Sequence, residues 1–151
     1  MKTLLNILFT LLIFLNSNAQ ESPKYDKNLA KSLHSDEYGM KKYVFCILKT
    51  GTNTTATKEE RVKFFEGHMA NINKLANEGK LTLAGPFMKN DRNYRGIYIF
   101  NVETIEEAQS LVNLDPAVQA KIFEAELTPW YGSAALQEVA KIHTTIEKTK
   151  I

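Results

Sequence analysis

His68 and Asp115 are the two side chains whose types and settings fit acid–base chemistry. His68 falls on the apolar side of a predicted helix, and an imidazole titrates near neutrality and passes protons either way. Asp115 begins an Asp-Pro step that opens a short helical segment. A carboxylate beside an imidazole sets which ring nitrogen faces a ligand. On this reading His68 transfers a proton and Asp115 orients it. Taken singly, each residue also has a plain structural role: a core-edge histidine satisfied by a carbonyl, and a helix cap. The pair names no substrate.

The elements that must position the pair follow from pattern. Residues 42–49 (KYVFCILK) read as a strand by β-branched and aromatic content. Thr57 and Glu60 form a capping box, and Gly79 stops the helix they start. Its apolar stripe is expected to be Val62, Phe65, Met69, Ile72 and Leu75 or Ala76. Residues 81–87 form a second strand, broken late by Gly85-Pro86. Gly85 has no side chain to keep a ligand off the backbone, so Gly85 and Pro86 are expected to shape the pocket wall. Residues 95–102 form a third strand. Thr104 and Glu107 repeat the capping pattern ahead of a helix burying Ile105, Ala108, Leu111 and Val112. Residues 122–131 form a fourth strand, interrupted at Pro129. The order β-α-β-β-α-β is an α+β, ferredoxin-like plan with an antiparallel sheet.

The strands carry a second message. A sheet with helices on one face and water on the other alternates apolar and polar residues. Here Tyr43, Phe45 and Ile47 oppose Val44, Cys46 and Leu48, and Ile97 and Ile99 oppose Tyr98, Phe100 and Val102. Both faces are apolar, yet two helices cover one. A second copy, sheet against sheet, supplies the missing cover. The expectation is a homodimer through the open sheet face, closed as an α+β barrel.

The ends set the compartment. A short positive start, an apolar run over residues 4–15, and small residues at Ser17 and Ala19 make residues 1–19 a signal peptide. The run is short of the roughly 20 residues of a spanning helix, so no stable membrane insertion is expected after cleavage. The protein is expected to be exported, periplasmic or extracellular. Residues 20–40 read as a polar N-terminal arm. Residues 132–151 read as a C-terminal helical tail with Leu136, Val139, Ala140, His143 and Ile146 on one side, and a partner's surface is one place for it to lie. The formal net charge is +2 and falls to +1 with removal of Lys2 in the first segment. That balance excludes the clustered basic face of a nucleic-acid binder. Lys89, Arg92 and Arg95 sit beside Asp91 in a solvated turn. Cys46 is the sole cysteine, so no intrachain disulfide forms. There is no phosphate loop, no GxSxG elbow and no metal-ligand spacing, and neither a metal nor a cofactor is expected.

Ordered motifs then bring the chain close to a known family. They are His68, Gly79, Ala84-Gly85-Pro86, Gly96, Glu107-Ala108, Asp115-Pro116 followed by Val118, and Pro129-Trp130. Over roughly residues 41–131 the chain resembles the YCII-related (YciI-like) family of small bacterial proteins. The resemblance implies a dimeric α+β barrel, with His68 and Asp115 as the active-site pair. Similar proteins include enzymes that act on cyclic or aromatic small molecules by proton transfer and elimination without a cofactor. The leader, arm and tail depart from the compact family pattern. A non-catalytic dimeric module of the cell envelope, binding a small ligand or serving structure, is the alternative.

Overall fold

The computed structural model describes residues 24–149. The signal segment 1–19 expected from sequence lies outside the described residues.

The polar arm is more ordered than its composition suggested. Asp26 caps a helix, α1 (Lys27–Ser32), by accepting from the amides of Asn28 and Leu29. The Asp36 carboxylate then accepts from the amides of Tyr38 and Met40, and Tyr131 donates its hydroxyl to the same side chain. This turn feeds β1 (Met40–Thr50), which starts earlier than residue 42 because Met40 and Lys41 pair with Ser133 and Gly132.

The rest of the frame follows the expected order. The long helix α2 (Lys58–Asn77) starts with a complete Thr57–Glu60 capping box and stops before Gly79, whose φ of +67° suits a residue without Cβ. Then come β2 (Leu81–Pro86), β3 (Tyr94–Phe100), α3 (Ile105–Val112), α4 (Pro116–Gln119) and β4 (Phe123–Ser133). All neighbouring strands are antiparallel, in the order β2-β3-β1-β4. That arrangement of a β-α-β-β-α-β chain is ferredoxin-like. Pro129 does not interrupt β4 as expected. It pairs with Val44 within a continuous strand, because β4 is the edge of this sheet and an edge tolerates a residue lacking an N–H.

The core lies between the helices and one sheet face, where Val44, Cys46, Leu48, Tyr98 and Phe100 meet Leu75, Ala108 and Val112. The buried face of α2 is rotated from the predicted stripe. Val62 and Phe65 are exposed, while His68, Asn71 and Leu75 point inward. Two polar residues hold the centre of that face because His68 finds a buried partner there, as described below.

The other sheet face is apolar, as its two-faced strands predicted. Phe45, Ile47 and Ile97 are half-buried, and Trp130 rests over Tyr43 and Phe45 with ring centroids 5.8 and 6.4 Å away. The tail is not one continuous helix. A 3-10 turn (Ala134–Glu138) precedes α5 (Val139–Ile146), and the two pack on β1 and β2 of their own chain. Tyr43 is buried there and donates its hydroxyl to the Ser133 carbonyl at 3.0 Å.

Candidate active site

Three elements of the helix-covered side converge on one buried polar cluster. His68 comes from the middle of α2, Tyr98 from β3, and Asp115 from the residue that caps α4. Asp115 is fully buried and His68 is 7% exposed. His68 Nδ1 lies 2.6 Å from Asp115 Oδ2. The Tyr98 hydroxyl donates to the same Oδ2 at 3.1 Å and lies 3.2 Å from His68 Nδ1. Asp115 Oδ1 accepts from the Ala117 amide at 2.9 Å. The carboxylate therefore both caps α4 and anchors the histidine, with one oxygen for each task.

This arrangement selects a tautomer. A carboxylate only accepts, so Nδ1 must carry a proton, and Nε2 is the nitrogen that faces away from Asp115. Nε2 makes no hydrogen bond, and among the described residues the one fully buried side-chain nitrogen or oxygen without a partner is Asn71 Nδ2. Nε2 is thus not sealed in the core, and it is the ring nitrogen left open to a ligand.

Electrostatics agree with these roles. Burial, and then the negative charge of Asp115, push the Tyr98 phenol far above its usual range, so it remains a donor at any physiological pH. The same two causes raise the Cys46 thiol to about 12, which keeps it an inert core residue.

Close backbone packing brings His68 to Asp115. A Cβ added at Gly67 would stand 2.7 Å from Pro116 Cγ, so α2 can lie against the Asp-Pro step only where it lacks a side chain. Gly67→Ala should therefore lower the melting temperature, although alanine favours a helix over glycine by about 1 kcal/mol. An unchanged or higher melting temperature would show that the helix shifts freely and that this contact does not position the pair.

A groove of about 410 Å³ opens beside the cluster, lined in part by Arg61, Phe64, Phe65, Ile122 and Phe123. His68 and Asp115 are not in its lining. Phe65 and Phe123 connect the two, with ring centroids 5.7 and 5.2 Å from that of His68. Gly85 and Pro86 end β2 opposite Ile97 and Gly96 and do not line this groove. Tyr98 was missed in the sequence reading, although strand alternation already placed it on the face opposite Ile97 and Ile99. Among the described residues no three His, Cys, Asp or Glu side chains gather as metal ligands.

A ferredoxin-like sheet whose helix-covered side holds a histidine paired with a buried carboxylate defines a small α+β protein. The chain belongs to the YCII-related domain family, whose model matches residues 43–131. No curated protein matches it. Among solved structures it is similar to 5-chloro-2-hydroxyhydroquinone dehydrochlorinase from Burkholderia phenoliruptrix, in complex with 2,5-dihydroxybenzoquinone. The similarity spans 58% of this chain and 92% of that one, at 22% identity and a TM-score of 0.42.

Proposed function

We propose that the protein is a cofactor-independent enzyme in which His68 Nε2 moves a proton on a small cyclic or aromatic molecule, by elimination or isomerisation. The observation that carries this reading is the one-sided histidine. Nδ1 is held by Asp115 at 2.6 Å while Nε2 is left unpaired. Held to the fold through one nitrogen, the ring keeps the other, which is not sealed from the surface, for a ligand or water. The phenylalanines beside it favour a flat, apolar ligand body. A ligand-contact role for Gly85 and Pro86, which end β2 outside the groove, would require the ligand to extend beyond it.

The tautomer gives a test that needs no substrate. Long-range nitrogen–proton NMR spectra of the histidines should show His68 protonated at Nδ1 near neutral pH. A ring protonated at Nε2 alone would remove Asp115 as its orienting partner.

Two further parts of the proposal concern where and how the site is presented. The leader-like residues 1–19 favour export to the periplasm or beyond. The half-buried Phe45, Ile47 and Ile97, with Trp130 beside them, favour a second copy packed on the open sheet face. Sedimentation at micromolar concentration should report a dimer, and Phe45→Glu should convert it to a monomer. A monomeric wild type would defeat this arrangement.

A further inference from the structure

We infer that the groove beside the buried cluster is a binding site for a planar aromatic carboxylate, with Arg61 as the residue that takes its charged end. The inference stands on the groove alone and holds whether or not His68 moves a proton.

The rotation of α2 leaves Val62 51% and Phe65 54% exposed. Large apolar side chains held in water cost free energy until something covers them. Both line the groove of about 410 Å³, with Phe64 from the same helix and Ile122 and Phe123 from the start of β4. A cleft of that size, walled by aromatic and aliphatic side chains with few polar groups, suits a small ring.

Arg61 is set to meet an anion there. Its Nε donates to the Ala56 carbonyl at 3.2 Å, and its Nη2 to the Asn53 carbonyl at 3.1 Å. Asn53 is in turn fastened to the opposite wall. Its backbone amide donates to the Lys121 carbonyl at 2.9 Å and its side chain to the Ala120 carbonyl at 2.8 Å, just ahead of Ile122. The loop that holds the guanidinium is therefore tied to the segment that lines the groove, and little side-chain freedom is left to lose on binding. The two carbonyls occupy one edge of the guanidinium. The other edge, between Nη1 and Nη2, keeps two parallel N–H groups, the fork that meets both oxygens of a carboxylate. Among the described residues no acidic side chain pairs with Arg61. Lys58 adds a second cation to the lining and Glu66 a single anion, so the charge that remains favours a negative ligand.

The probe is 2-naphthoate, titrated into the purified protein by calorimetry beside its neutral counterpart 2-naphthamide. The acid should bind at least about tenfold more tightly than the amide, as a charge-assisted bidentate contact requires. Arg61→Gln should abolish that preference, leaving both ligands near the affinity of the amide. Arg61→Lys should keep part of it, because the charge remains without the fork. Phe65→Ala, at an exposed position, should weaken both ligands alike and leave sedimentation unchanged. Equal wild-type affinities for acid and amide, a full acid preference in Arg61→Gln, or no saturable binding of 2-naphthoate would each overturn the assignment. So would a dimer that Phe65→Ala dissociates, since the groove would then hold a second copy of the chain.

Discussion

Replacing Asp115 with alanine is expected to cost the fold about 3–5 kcal/mol, the usual range for removing one partner of a buried ionic pair. The side chain is fully buried and accepts from the Ala117 amide, the Tyr98 hydroxyl and His68 Nδ1. Alanine would strand all of them without an acceptor and without water. For a chain of this size each kcal/mol moves the midpoint by about 2–4 °C, so the melting temperature should fall by roughly 10 °C or more. Asp115→Asn should lose less, because one oxygen remains to cap α4. It should also disturb the histidine tautomer, since an amide nitrogen placed toward Nδ1 repels its proton. Urea unfolding with an unchanged m-value would measure the difference cleanly. A loss near 1 kcal/mol would mean that Asp115 is a helix cap and little more, for a cap alone is worth about that much.

Each of the two residues was legible from a local pattern, and the resemblance to the YCII-related family joined them into a pair. Asp-Pro at a helix start and a histidine between apolar helix positions are local patterns, and local patterns follow from capping and helical spacing. The strand order and the apolar second face were equally readable, because alternation has a period of two whatever the partner. The rotation of α2 was not. Val62 and Phe65 are large and apolar, so spacing rules put them inside, but Asp115 is buried and its bond to His68 turns His68 and Asn71 inward beside the expected Leu75. A stripe on a helix is a weak constraint when a polar partner arrives from residues 47 positions away. Tyr98 and the Gly67–Pro116 contact are likewise products of tertiary register, visible only once β3 and α2 are packed. The resting place of the tail was not legible for a simpler reason: apolar spacing cannot say whether a helix will lie on its own sheet or on another copy.

Removing the imidazole instead of the carboxylate should separate chemistry from stability. In His68→Ala, Asp115 keeps two of its donors, the Tyr98 hydroxyl and the Ala117 amide, so the buried charge is still met. The variant should fold, with a smaller loss than Asp115→Ala shows. Turnover of any substrate found among phenols, lactones and halogenated aromatics should nevertheless fall by about 10²–10⁴-fold, the range for losing a general acid–base group. Because the chemistry needs only the unpaired Nε2, free imidazole added to His68→Ala should restore part of the rate if it reaches the cavity left behind. Asp115→Ala offers no such rescue, since its defect is the loss of the anchor. The contrast follows from the hydrogen-bond asymmetry of the cluster: one carboxylate serves several donors, and one histidine serves one acceptor. A His68→Ala protein that turns over substrate at the wild-type rate would end the catalytic reading, whatever became of the fold.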